Sequence, residues 1–310
     1  MGNSSSSSNA SLSIALEKVQ FRAGEAVRGY VQVHVTAPIA CKNVYAKLEG
    51  EVRTHVTFES TNTERDADGE SHDTTEQNTA YQRRSIVTEN ICVATFPGEA
   101  APGFYQFPFQ FMLHPNLPSS TYLPDVHGDG ACLAYGVSVQ LERPGFLKFD
   151  LVSRAMLEVN AAIPRTIKPV RAGAVKEVEL CCMCCPRGEI RLQGSLSHNA
   201  FSGNEAVLVK VSLKNRSSEA IQFIAVELKE SISFSANSHS STRENVLAAT
   251  ELPGLAAGGT LEDASVQLKL PPSFANSSVR TSLLTIQPTV EVIAVTGCCV
   301  TDPALNLPVT

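Results

Sequence analysis

The chain has 310 residues, of which 43% are hydrophobic and 18% charged, and its formal net charge is -6. This composition is typical of a globular protein, and the length accommodates two domains of ordinary size. The negative net charge offers no positive field to nucleic acid, and no run of about 18 apolar residues predicts a transmembrane helix. We therefore expect a two-domain globular protein that binds no nucleic acid.

The chain begins with Met1-Gly2-Asn3 and five serines, without the apolar segment of a secretory signal peptide. We therefore expect a cytoplasmic protein, whose cysteines are free thiols, metal ligands or acylation sites rather than disulfides. Met1-Gly2-x-x-x-Ser6 fits the N-myristoylation pattern, so Gly2 is a candidate for lipidation and for membrane-surface binding. One myristoyl chain binds membranes weakly, so a second anchor is expected. We expect residues 1–11 to form a flexible Ser-rich tail that would let acylated Gly2 reach a membrane; the alternative is that the pattern matches by chance.

Alternating apolar residues predict β-strands through both halves of the chain. In chain order, the alternating runs lie at residues 31–35, 44–48, 105–111, 133–141, 207–213, 224–228 and 266–270. No segment carries a long apolar stripe at helical spacing. Antiparallel strands with one dry face pack as sheet on sheet, so the sequence predicts an all-β protein made of β-sandwiches.

The two halves of the chain begin alike. The heptapeptide FRAGEAV at residues 21–27 recurs as FSGNEAV at residues 201–207, and each copy precedes an alternating strand. A Leu-Pro-Ser element follows later in each half, at residues 117–119 and 270–273. This internal repeat indicates the duplication of one sandwich.

The boundary between the repeats is predicted where alternation stops and prolines cluster, near residues 164–169. We therefore predict a first domain at residues 12–163, a linker at 164–171 and a second domain at 172–310. Residues 59–84 are polar and acidic with scarcely an apolar residue, so we expect a long mobile loop there.

A set of motifs in the chain resembles the arrestin fold. In the first half these are the pattern Phe-x-x-Gly-Glu-x-Val-x-Gly-x-Val at residues 21–31, VYAKLEG at 44–50, PGFYQFPFQF at 102–111, LPSS at 117–120 and YGVSVQLERP at 135–144. In the second half they are GEIRL at 188–192, GNE at 203–205, NRSS at 215–218 and LPPS at 270–273. The ordered set spans residues 12–310 and is most similar to the α-arrestins, the arrestin-domain-containing group.

This resemblance implies two tandem arrestin-like, immunoglobulin-like β-sandwich domains and an adaptor function without catalysis. Members of the group link membrane receptors or transporters, as cargo, to endocytic, ubiquitylation or sorting machinery, at the plasma membrane or endosomes. α-Arrestins usually dock ubiquitin ligases through Pro-Pro-x-Tyr motifs, but the Pro-Pro pair at residues 271–272 precedes Ser273 and Phe274. The alternative within the adaptors is a retromer-type arrestin-fold sorting subunit.

Six of the nine cysteines form two clusters: Cys181, Cys182, Cys184 and Cys185 in the first, and Cys298 and Cys299 in the second. The first cluster contains two interleaved Cys-x-x-Cys pairs, a spacing that lets two thiolates converge on zinc. The second follows Gly297 at an expected hairpin and is able to complete a four-thiolate site. The other uses are palmitoylation and packing as small hydrophobes. Structural zinc is the cofactor suggested, and a thiol-based redox or zinc-binding protein is the alternative from another functional class.

The common nucleophile, zinc-protease and phosphate-binding motifs do not occur in the sequence. Residues 127–132 place a thiol near an imidazole and a carboxylate, but Gly128 and Gly130 suit a tight loop before a strand. We therefore predict that the chain is not an enzyme. The aromatic residues at 104–111 predict a strand whose odd-numbered side chains form a buried face.

Overall fold

The structure, a computed structural model, describes residues 5–7, 9–65, 71–145, 149–162, 168–179, 186–201, 203–272, 274, 278–297 and 302–309. The described residues form nineteen β-strands and no helix, which confirms the prediction of an all-β protein. The chain divides into two compact units. Unit 1 comprises Met1–Ala162, Phe234–Ser241 and Arg280–Leu284, and unit 2 comprises Ile163–Ser233, Thr242–Val279 and Thr285–Thr310.

Unit 1 is a β-sandwich of two sheets. Its strands are β1 (Ser5–Ser7), β2 (Ala10–Leu16), β3 (Gln20–Arg22), β4 (Ala26–Val35), β5 (Ile39–Arg65), β6 (Ser71–Ala100), β7 (Gly103–Met112), β8 (Thr121–Val126), β9 (Asp129–Leu141) and β10 (Leu151–Asn160). One sheet has the order β1-β2-β4-β7, and the other has the order β3-β10-β9-β5-β6 with β8 paired to β9. The β3–β10 pair is parallel, whereas β2–β4, β4–β7 and β5–β9 are antiparallel.

The core of unit 1 follows from the period-two pattern of its strands. Val31 and Val33 of β4 are fully buried, as are Val139 and Leu141 of β9, while their sequence neighbours face outward. β-Branched residues suit such a pleated, half-buried surface. Burying each of these side chains stabilises the fold by about 1.5–3 kcal/mol.

Tyr135 explains the LPSS motif of the first half. Its ring is buried, and its hydroxyl donates to the Pro118 carbonyl at 2.8 Å. Burial raises the pKa of the Tyr135 phenol, so the hydroxyl stays protonated and acts as a donor. The hydroxyl oxygens of Ser119 and Ser120 accept hydrogen bonds from the amides of Ala161 and Val159. The motif therefore joins β9 to the end of β10.

The prediction of a mobile loop at residues 59–84 is wrong. β5 and β6 pair without interruption from Glu59↔Gln77 to Arg65↔Ser71, so the polar stretch forms an antiparallel hairpin. Cross-strand hydrogen bonds support it: Thr63 Oγ1 donates to Asp73 at 2.7 Å. Two-sided polar strands bury no face and carry no apolar alternation, which is why the sequence pattern missed them.

The predicted flexible tail at residues 1–11 also needs correction. Ser5–Ser7 forms β1, which pairs with β2 in the register Ser5↔Leu12 to Ser7↔Ala10, and β2 itself begins at Ala10. A strand edge presents backbone donors and acceptors that any extended segment is able to satisfy. Serine side chains carry no pattern that predicts this pairing.

Unit 2 is the second sandwich. Its strands are β11 (Val170–Glu179), β12 (Pro186–Leu196), β13 (Ala206–Asn215), β14 (Ile221–Ala236), β15 (His239–Leu255), β16 (Thr260–Lys269), β17 (Val279–Arg280), β18 (Leu284–Val295) and β19 (Ala304–Pro308). The parts of β14, β15, β17 and β18 that fall within Phe234–Ser241 and Arg280–Leu284 belong to unit 1. One sheet has the order β11-β12-β13-β16, and the other has the order β15-β14-β18-β17 with β19 paired to β18. β11 begins at Val170, inside the predicted linker at 164–171, of which residues 164–167 lie outside the described part.

Each unit contains its own copy of the turn that the sequence repeat encodes. Gly24 has φ +92°, and Asn204, at the same position of the repeat, has φ +67°. Glycine and asparagine tolerate this left-handed conformation better than other residues. Next to each turn, the Glu25 carbonyl accepts from the Leu113 amide and the Glu205 carbonyl accepts from the Leu270 amide, at 3.0 and 2.9 Å. The structural equivalent of Leu270 is therefore Leu113. The Leu-Pro-Ser repeat in the sequence instead pairs Leu270 with Leu117, four residues further along the chain.

Candidate functional site

The sequence-predicted site residues lie outside the described part of the chain. They are Gly2, Cys181, Cys182, Cys184, Cys185, Cys298 and Cys299. Within the described ranges, no three His, Cys, Asp or Glu side chains are grouped so that they could hold a metal ion. Zinc binding and Gly2 acylation therefore stay predictions.

Described residues near the two cysteine clusters lie at one end of unit 2. The Arg216 amide, at the turn between β13 and β14, donates to the Glu189 carbonyl at 2.8 Å. A Cβ atom on Gly297 would lie 3.9 Å from the side-chain amide nitrogen of Gln222, near the start of β14. Glu189 follows the first cluster by four residues and Gly297 immediately precedes the second. One neighbour therefore contacts the turn before β14, and the other lies near the beginning of β14.

In the segment at residues 127–132, residues 127 and 128 form a turn and residues 129–132 begin β9. His127 and Gly128 have φ +56° and +84° and connect β8 to β9. The Asp129 carboxylate accepts from the Thr57 amide at 2.7 Å. Burial raises the pKa of the Cys132 thiol, whereas a nucleophilic cysteine needs a lowered pKa. The arrangement therefore gives no support to Cys-His catalysis.

A shallow depression of about 490 Å³ lies on the outer face of the larger sheet of unit 1. The charged residues that line it are Lys47, Glu49, Glu51, Arg53, Arg83 and Arg154. Lys47 forms an ion pair with Glu49, and Arg53 forms one with Glu51. The hydrogen bond from Lys47 is the main cause of the lowered pKa of the Glu49 carboxyl. Both carboxylates of the depression are therefore neutralised by neighbours on β5.

The more distinctive surface of unit 1 is the edge strand β7. Its partner among the described strands is β4, and it ends the sheet order β1-β2-β4-β7. Leu113 donates its amide to Glu25, and the register continues this pairing from Ala26↔Met112 to Val35↔Gly103. In an antiparallel pair, inward and outward backbone groups alternate. The even-numbered residues of β7 therefore point their backbone groups outward.

Pro108 fits this geometry. It is even-numbered, so its missing N–H faces the open side and β4 loses no hydrogen bond. The outward amides of β7 belong to Phe104, Gln106, Gln110 and Met112. The sequence signal for an edge strand was Pro108 itself, because proline is excluded from the middle of a sheet.

Apolar side chains accompany these free backbone groups. Phe104 is 61% exposed and Met112 is 54% exposed. The Phe96 ring of β6 packs edge-on against Tyr105 and Phe107, with centroids 5.3 and 6.0 Å apart. Phe109 and Phe111 are buried, so the prediction of a buried odd-numbered face describes only the second half of β7. The first half presents a partly exposed aromatic cluster.

The fold defines a class of protein: a tandem β-sandwich protein. Among the described residues, no helix is long and apolar enough to cross a bilayer. Residues 11–163 match the family model for the arrestin (or S-antigen) N-terminal domain, and residues 186–310 match that for the C-terminal domain. The chain belongs to the arrestin family, and the resemblance to it is confirmed.

A curated relative agrees with the α-arrestin assignment. The chain is 23% identical over 209 residues to arrestin domain-containing protein A of Dictyostelium discoideum. The alignment covers 66% of this chain and 34% of that protein, so the match spans about a third of the relative's length. Family membership supports an arrestin-like adaptor role, because proteins of this family are generally adaptors rather than enzymes.

Proposed function

We propose that the chain is a non-catalytic adaptor that links membrane receptors or transporters to endocytic, ubiquitylation or sorting machinery. Membership of the arrestin family supports the adaptor role. The proposed location is the cytoplasm, with peripheral binding to the plasma membrane or endosomes that acylated Gly2 assists.

The observation that carries the proposal is the free edge of β7. An extended peptide is able to add to such an edge, because its backbone supplies hydrogen-bond partners for the outward N–H and C=O groups of β7. The exposed Phe104 and Met112 side chains and the Phe96–Tyr105–Phe107 cluster offer apolar contacts to alternate residues of that peptide. We therefore propose that an unstructured tail of the cargo binds as an added strand beside β7.

The test uses a matched pair of variants at one position. Gln106→Pro removes an outward amide without breaking a hydrogen bond to β4, whereas Gln106→Ala keeps that amide. Proximity labelling in cells identifies membrane proteins beside the wild-type chain, and their cytoplasmic tails are then assayed as peptides by fluorescence anisotropy.

We expect the Gln106→Pro variant to bind these tails about tenfold more weakly. The proline removes one hydrogen bond to the added peptide, and its ring keeps the peptide backbone from lying close to β7. The Gln106→Ala variant is expected to bind like the wild type, and both variants keep the wild-type melting temperature. Equal affinity of both variants for the tails would contradict binding at β7. An absence of membrane proteins among the labelled neighbours would contradict the adaptor function itself.

A further inference from the structure

The outer face of the four-stranded sheet of unit 2 contains a depression of about 730 Å³. Its polar lining includes Arg171, Gln193, Ser195, Lys210, Ser212 and Asp263. Alternation in the strands explains why these residues share one face. In β12 and β13, Leu192, Leu196, Val209 and Val211 are buried in the core, so Gln193, Ser195 and Lys210 point outward.

Strand register places two cations on either side of one serine. Arg171 of β11 lies opposite Ser195 of β12, and Ser195 lies opposite Lys210 of β13. Adjacent strands are about 4.8 Å apart, so the Arg171 and Lys210 backbones are separated by about 10 Å. Both side chains are long enough to reach an anion placed above Ser195.

These two cations are available to a ligand. No carboxylate of the described residues lies within 4.0 Å of the Arg171 guanidinium or the Lys210 ammonium, whereas Arg191 on the same face is paired with Glu189. The chain as a whole carries a formal charge of -6, so two cations that have no carboxylate partner among the described residues differ in sign from the net charge. Charge complementarity therefore favours an anionic partner.

The next row of the face carries a single carboxylate at its end. A bulge in the β13–β16 pairing lies between Val211 and Leu213, and Asp263 in β16 has φ +46°. The Ser212 hydroxyl donates to the Asp263 carboxylate at 3.2 Å, and the Asp263 amide donates to the Ser212 hydroxyl oxygen at 3.0 Å. This carboxylate is positioned to accept hydrogen bonds from a ligand and would repel a densely anionic one.

We propose that this depression binds an extended acidic peptide segment of a partner protein. Its Asp or Glu carboxylates contact Arg171 and Lys210, and its backbone N–H groups donate to Asp263 and to the side-chain oxygen of Gln193. The guanidinium of arginine suits a carboxylate because it offers two parallel donors. This site goes beyond the proposed function, since it lies on unit 2 and uses none of the residues of β7.

The test measures the binding of a fluorescein-labelled peptide of alternating Glu and Ser residues to the full chain. Alternation places all carboxylates on one side of an extended peptide. The reference peptide carries Gln in place of Glu. We expect the acidic peptide to bind, the Gln peptide not to bind, and affinity to fall as salt is raised.

Arg171→Gln and Lys210→Gln are each expected to weaken binding of the acidic peptide about tenfold. Two controls change the same charge elsewhere. Lys269→Gln lies on β16 outside the lining of the depression, and Arg154→Gln lies in the smaller depression of unit 1. Both controls are expected to bind like the wild type.

Several results would overturn the proposal. Equal binding of the acidic and Gln peptides would exclude recognition of carboxylates. Equal loss in all four variants would show a non-specific charge effect. Wild-type affinity in the Arg171→Gln and Lys210→Gln variants would exclude this depression. Binding to anionic lipid vesicles or to a phosphoserine version of the peptide, without binding to the Glu peptide, would assign the cations to another ligand.

Discussion

β7 of unit 1 and β16 of unit 2 occupy the same place in the repeat. Each strand ends its four-stranded sheet, and each is followed by the leucine whose amide reaches the carbonyl of Glu25 or Glu205. The two strands differ in what they present at the free edge. The duplication has therefore kept the backbone framework and changed the exposed edge.

The edge of β16 carries the features by which proteins prevent strand addition. It contains Glu262, Asp263 and Lys269, and its register is interrupted by a bulge. β7 contains no charged residue, and its register with β4 is continuous over all ten residues. β7 carries one protective residue, Pro108, whereas β16 carries three charged residues and a bulge, and this difference supports the proposal that β7 accepts a partner strand.

The largest expected effect concerns burial along β7. Phe111 is 2% exposed, and Phe111→Ala is expected to lower the free energy of unfolding of unit 1 by about 3–5 kcal/mol. Phe104→Ala removes a ring that is 61% exposed, so its effect is expected within about 0.5 kcal/mol. Urea denaturation of both variants measures the difference. Equal destabilisation by the two variants would show that the Phe104 side chain, in the first half of β7, is buried in the folded protein.

The next effect concerns the cysteine clusters of unit 2. Glu189, after the first cluster, bonds to the turn before β14, and Gly297, before the second, lies near Gln222 at the beginning of β14. If zinc is bound, free zinc at 100 times its Kd stabilises the fold by about 2.7 kcal/mol. We expect chelation to lower the melting temperature. Cys184→Ser and Cys298→Ser are each expected to remove most of the zinc-dependent stabilisation, and the double variant to lose little more than either single variant. Protein without zinc by elemental analysis, melting identically with chelator, would leave acylation or packing as the use of these thiols.

A smaller effect tests the shared turn of the repeat. Gly24→Val places a β-branched residue at φ +92° and is expected to cost about 1–2 kcal/mol of unfolding free energy. Asn204→Gly relaxes the equivalent position and is expected to change stability by a few tenths of a kcal/mol. Thermal denaturation compares the variants. A neutral Gly24→Val would contradict the positive φ at Gly24 that it has in common with Asn204.

The smallest effect on stability is expected from Gly2→Ala, which is predicted to move the protein from membranes to the cytosol. Myristoylation requires glycine at this position, and the lipid acts on membrane affinity. Cell fractionation and mass spectrometry of the N-terminal peptide measure this change. Unmodified Gly2 together with unchanged fractionation would refute the membrane anchor.

The sequence predicted the sandwiches because their central strands bury one face. The valines of β4 and β13 alternate with polar residues, and this period identifies both the strands and their inner sides. The repeat at residues 21–27 and 201–207 predicted the duplication for a related reason: the turn needs a residue that accepts a positive φ.

The sequence did not predict features that depend on partner strands. The polar end of the β5–β6 hairpin is held by cross-strand pairs such as Asn78 with Ser60, and neither strand carries a one-sided pattern there. The depression of unit 2 depends on the register that sets Arg171 and Lys210 around Ser195. Edge position is likewise a property of the whole sheet, for which Pro108 was the available local clue.

Hydrogen–deuterium exchange of the chain with and without a cargo-tail peptide tests the role of β7 most directly. Four amides of β7 point outward, those of Phe104, Gln106, Gln110 and Met112, whereas the odd-numbered amides are already bonded to β4. We predict that the peptide slows exchange at these four amides and leaves β16 unchanged. Slowed exchange elsewhere, with the four β7 amides exchanging as in the free protein, would contradict strand addition at this edge.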